Sequence, residues 1–201
     1  MAADLRRHPV AVGLAGVAVA AAVMHILPGV ADALAWRRAA VLEGAWWLLL
    51  SAHLTHFDVV HLGANLLGLG LLAWLFRGRR GWPWLAAGLG AALVTGLGLL
   101  LEPAPLDEYR GLSAVLYGWL LWGLLGPGKP LLAGRWLLAA VLVAWVLIGI
   151  AVGGGQTLGL PLSVPAHAPA HLYGMLGALA GGWIALRLQR PTTPRRIGML
   201  R

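Results

Sequence analysis

The chain has 201 residues, 60% of them hydrophobic and only 11% charged, with a mean hydropathy of +0.80. Soluble domains carry roughly a quarter of charged residues, so this composition excludes a soluble enzyme, and its apolar content excludes a disordered protein. The net charge of +8 sits in short basic clusters between long apolar runs, which excludes a nucleic-acid groove and indicates a multi-spanning membrane protein. There is no cysteine, hence no disulfide, thiolate nucleophile or zinc–thiolate site. Many Arg, Ala, Gly and Leu residues beside a single Lys suggest a GC-rich bacterial source.

Membrane helices need about 20 mostly apolar residues. Six candidate spans follow in order, at about 10–27, 59–76, 82–101, 111–125, 131–152 and 168–188. The first follows Arg6 and Arg7 but shows no small-residue cleavage site, so it is expected to be a retained helix rather than a signal peptide. The short fourth span is expected at the centre of the bundle or starting below the surface. Twelve basic residues fall on one side: Arg6, Arg7, Arg77, Arg79, Arg80, Lys129, Arg135, Arg187, Arg190, Arg195, Arg196 and Arg201. Only three, Arg37, Arg38 and Arg110, fall on the other, while Asp32, Glu43, Glu102, Asp107 and Glu108 lie outside. The positive-inside rule therefore places both termini in the cytoplasm. The segment 28–58, with Trp36, Trp46 and Trp47, reads as an outer loop partly embedded at the headgroup level. The uncharged segment 153–167 reads as a mobile cap. No soluble domain or sustained repeat is visible, so residues 1–201 read as one all-α membrane domain.

Polar residues are scarce within the spans and mark function there. His61 and Asn65 lie in the first two turns of the second span, Ser113 starts the fourth, and His171 starts the sixth. All three spans begin on the outer side, so these residues share one depth just below the outer surface. His61 and Asn65 are i, i+4, as are Ser113 and Tyr117, and each pair shares a helix face. Ala114 and Gly118, and Ala170, Gly174 and Ala178, form strips of small residues that let helices approach closely. The chemistry of these types is that of an activated serine. His171 is the candidate base for the Ser113 hydroxyl. The Ser113 backbone N–H, the Asn65 amide and the His61 ring N–H are candidate oxyanion donors. No aspartate lies at this depth in the sixth span, so the arrangement is a dyad, with Tyr117 stacking on His171 in the orienting role. Gly111, Ala114 and Gly174 are the small supports. The base must be neutral, so activity is expected to rise with pH.

These residues resemble the rhomboid intramembrane serine proteases. The family's second helix carries H-x-x-x-N, matched by His61-Leu62-Gly63-Ala64-Asn65; its fourth carries G-x-S-G, matched in part by Gly111-Leu112-Ser113-Ala114; its sixth carries a His before a Gly, matched by His171-Leu172-Tyr173-Gly174. A Tyr one turn after the nucleophile is frequent in the family, and Tyr117 fits. The stretch 53–67, with His53 and His56, resembles the family's first loop running into its second helix. The likeness covers about 36–188 and is fairly specific as an ordered set. Ala114 stands where the family usually has Gly. The resemblance implies a six-helix rhomboid-like bundle in a bacterial plasma membrane, with its site facing the periplasm or cell exterior and no cofactor. The compact chain is most similar to the rhombosortase branch. That branch implies a transmembrane protein substrate with a C-terminal Gly-Gly, apolar helix and basic tail, cut near its extracytoplasmic boundary.

Three other readings compete. A catalytically inactive rhomboid-like protein that binds membrane helices is favoured by Ala114. A zinc site from His53, His56, His61 and His171 lacks both H-E-x-x-H and a carboxylate. Ser163 with His167 is a rival pair, weakened by Pro161, Pro165 and Pro169 around it.

Overall fold

The structure is a computed structural model and describes residues 9–77, 81–103, 106–127, 133–153 and 166–189. The chain is mostly helical. Its helices are α1 (Pro9–His25), α2 (Pro28–Leu34), α3 (Arg38–Leu42), α4 (Leu48–Ser51), α5 (Val59–Leu75), α6 (Gly81–Leu100), α7 (Ser113–Leu125), α8 (Arg135–Ala151) and α9 (Ala168–Leu188). A 3₁₀ turn (Ala52–Leu54) follows α4. Two short strands, β1 (Trp36–Arg37) and β2 (Glu108–Tyr109), pair antiparallel with Trp36 opposite Tyr109.

Local chemistry sets the helix starts. Asp58 caps α5, its carboxylate accepting from the His61 backbone N–H at 2.7 Å. Pro169 stands in the first turn of α9, where its missing N–H costs nothing. Gly111, at φ 127°, turns the chain into α7 in a conformation that side-chain-bearing residues rarely adopt. The fourth expected span therefore starts at Ser113 and not at Gly111. Expected span five begins at Arg135 rather than 131; residues 131 and 132 lie outside the described residues. Among the described residues one helix, α6, is long and apolar enough to cross a membrane unaided, with hydropathy 1.6. The pair Leu48–Leu54 and Val59–Leu75 is bent by 94°.

The segment 28–58 is more ordered than a loop, because it holds three short helices, the 3₁₀ turn and β1. Trp36 is not an interface anchor: it is fully buried, and its Nε1 donates to the Gly96 carbonyl at 3.1 Å. Trp46 and Trp47 remain exposed. The segment is tied to α6 again by Arg38 on the Leu99 carbonyl, at 3.2 Å. Residues 154–165 of the expected cap lie outside the described residues.

α9 packs against α6, α7 and α8. Its contact with two of them is backbone on backbone. A Cβ on Gly177 would strike the Gly90 carbonyl, one on Gly181 that of Ala86, and one on Gly174 that of Ala114. Gly118 of α7 meets the Gly174 carbonyl in the same way, with Ala178 and Ala91 beside it. We expect Gly174→Ala to lower stability by about 1–3 kcal/mol, because backbone cannot yield as a side chain does. Gly70→Ala, where nothing lies within 4 Å inside α5, should not lower it, and by helix propensity should raise it by up to about 1 kcal/mol. Thermal unfolding of both variants checks this.

Candidate active site

The glycine contact between α7 and α9 fixes what the first turns of these helices can share. His171 Nε2 lies 3.0 Å from Ser113 Oγ. The ring of Tyr117 stacks on that of His171 with centroids 4.1 Å apart and planes 1° from parallel. His171 is buried, and its Nδ1 has no hydrogen-bond partner among the described residues. With Nε2 facing a hydroxyl, the ring's orientation is set by one polar contact and one stacked face. Thr95 of α6 donates to the Ala170 carbonyl at 3.4 Å, a further tie on the turn that carries the histidine.

α5 supplies the neighbouring polar groups. The His61 ring lies against Gly111: a Cβ there would sit 2.6 Å from His61 Cε1. Asn65, one turn on, is buried, and its Nδ2 amide has no partner among the described residues. A buried donor without a partner is costly, and such a group commonly awaits water or a ligand. Ala114 is fully buried in the cluster formed by Trp36, Leu49, Leu99 and Ala170, so its methyl is taken up by packing.

Three residues not foreseen as part of the site frame it. Tyr109 is buried four residues before Ser113, and its hydroxyl donates to the Gly111 carbonyl at 3.1 Å and reaches the Ser113 side chain. Burial pushes its phenol pKa up, keeping it a neutral donor. Only the pairing of β2 with β1 puts it there, and two-residue strands leave no periodic signal in sequence. Glu102, just past α6, takes the His167 Nε2 at 2.8 and 2.9 Å. It holds the start of α9 one turn before His171. Arg110 bridges Asp32, at 2.7 Å, and Glu108, and lies over Phe57 at 5.4 Å, which clamps the approach to Gly111.

The remaining histidines divide. His53 lies between the carbonyls of Gly111 and Ala92, at 3.2 Å each. Burial lowers its pKa, so it is a neutral ring donating to one of them. His56 stacks edge-on to His61 at 5.0 Å. Among the described residues no three His, Asp or Glu side chains converge as a metal would require. Ser163 lies outside the described residues, and His167 is paired with Glu102.

No protein-family model matches the chain, and no curated protein matches it at a significant level.

Burial, then the neighbouring His61 and His25, push the His56 pKa down from 6.5 to about 3. The unfolded chain takes up a proton near 6.5 and the folded one resists until about 3, so folding stability should fall as pH drops through that window. His56→Phe keeps a ring and removes the titration. Melting curves between pH 7 and 4 should show a shallower loss in that variant than in the unchanged chain. Equal slopes would contradict the assignment.

Proposed function

We propose that the chain is a membrane-embedded serine endopeptidase of rhomboid type, and that Ser113 and His171 are its dyad. The observation that carries this reading is the 3.0 Å contact between Ser113 Oγ and His171 Nε2, with Tyr117 stacked flat on the same imidazole. A packing serine needs neither partner.

The chemistry follows from those atoms. His171 Nε2 takes the Ser113 proton as Oγ attacks a peptide carbonyl. The tetrahedral oxygen forms near the start of α7, where the Ser113 backbone N–H, the Asn65 amide and the His61 ring are the available donors. Collapse breaks the C–N bond and His171 returns its proton to the leaving amine. Water then repeats the sequence and frees Ser113. Tyr117 does with a ring face what a triad aspartate does with a carboxylate.

The membrane setting is supported by the outward faces. Leu67, Leu71 and Trp74 on α5, Leu85, Leu89 and Leu93 on α6, and Leu137, Val141 and Ile148 on α8 are all exposed and apolar. We read α1, α5, α6, α7, α8 and α9 as six spans with cytoplasmic termini and the site toward the exterior. The substrate is then a membrane-anchored protein cut near its extracytoplasmic boundary. By the rhombosortase likeness, its signal is a C-terminal Gly-Gly, apolar helix and basic tail. Glycines at the cut suit this chemistry, because a helical peptide bond must unwind to be reached. The inactive helix-binding reading rests on Ala114 alone, whose methyl is already accommodated by packing.

A fluorophosphonate probe on the purified chain tests the reading. Labelling should vanish in Ser113→Ala and fall at least about a hundredfold in His171→Ala. Undiminished labelling in His171→Ala, or none in a folded unchanged chain, would sink it. Tyr117→Phe keeps the stack and should label at close to the full rate. Tyr117→Ala loses a contact of about 1 kcal/mol and should label roughly fivefold more slowly.

A further inference from the structure

A cavity of about 300 Å³ lies far from Ser113, between the C-terminal ends of α5 and α7 and the N-terminal half of α8. Phe76, Leu120, Leu124, Leu142 and Trp145 line it, and among the described residues Arg135 is the charged side chain on its wall. On α8 the lining runs from Arg135 to Trp145, about 15 Å of helix at 1.5 Å per residue. That is half of a hydrocarbon core of about 30 Å. The cavity is thus one leaflet deep, apolar along its length and cationic at its mouth.

We propose that this cavity holds an acyl chain of an anionic phospholipid of the cytoplasmic leaflet, with the headgroup phosphate on Arg135. The assignment rests on the membrane reading above. The charge argument comes from the sequence: Asp32, Glu43, Asp58, Glu102, Asp107 and Glu108 all lie at the opposite end, so six of the seven acidic side chains are out of reach of Arg135. The guanidinium lies over the Trp136 ring at 5.0 Å, a contact that leaves its donors available to phosphate. Arg135 is also the first residue of α8, whose free backbone N–H groups present partial positive charge at the same level. The shared chemistry of arginine at a helix start and an apolar slot beneath it suits one acidic head on one apolar tail.

Native mass spectrometry of the full chain decides this, with phosphatidylglycerol and phosphatidylcholine of identical acyl chains as probes. The expected result is one retained phosphatidylglycerol per chain, bound roughly fivefold more tightly than phosphatidylcholine, the effect of one cation near an anionic head. Arg135→Gln should erase the preference while leaving chain binding. Val141→Trp, which fills the slot, should remove the retained lipid of either kind. Equal retention of both lipids by the unchanged chain would overturn the proposal, as would a lipid that survives Val141→Trp. A photo-crosslinker at Leu138 that captures a substrate helix in place of lipid would overturn it too. Both variants leave Ser113 and His171 untouched, and fluorophosphonate labelling reads the protease assignment separately from the lipid.

Discussion

The close approach of α9 to α6 and α7 is the constraint on which the rest depends. Packed helices usually stand about 8–10 Å apart, and small residues at the contact let their backbones come closer. Gly174, Gly177 and Gly181 remove the side chains that would hold them apart and set α9 against the carbonyls of Ala114, Gly90 and Ala86. In the membrane setting proposed above, where water supplies no driving force, association would depend on this kind of van der Waals fit. The 3.0 Å contact of Ser113 with His171 follows from a row of missing side chains on the neighbouring faces.

A second economy concerns α6. Its backbone carbonyls at Gly96 and Leu99 each accept a side-chain donor, from Trp36 and Arg38, and the His53 ring lies against that of Ala92. A helix carbonyl has a second lone pair, and here it anchors the whole segment between α1 and α5. The Gly111 carbonyl plays the same part for Tyr109. Polar side chains are few in this chain, so the backbone supplies most of the acceptors.

How much of this was legible in the sequence depends on the range of the interaction. Helix positions were readable from apolar runs, and ends shifted by a few residues where Gly111 or Gly134 intervenes. The nearness of Ser113, Tyr117 and His171 was readable because alternating basic loops fix which helix ends lie together. Tyr109, Glu102 and the burial of Trp36 were not. Each depends on a partner some 60 to 73 residues away, met through a two-residue strand pair or a single hydrogen bond. Such contacts have no period for a sequence to display. The Asn65 amide, which has no partner among the described residues, was likewise invisible, because hydrogen-bond accounting begins only with coordinates.

The spacing of the Ser113–His171 pair also bears on biosynthesis. Its members are 58 residues apart, and at about 5–20 residues per second the ribosome needs several seconds to pass from one to the other. On the proposed reading, the serine has been made throughout that interval and its base has not. The hydroxyl would keep its ordinary reluctance until α9 sets its glycines against α6 and α7. A chain still being made would then carry no activated nucleophile, and α9, the last of the described helices, would be the one that arms it.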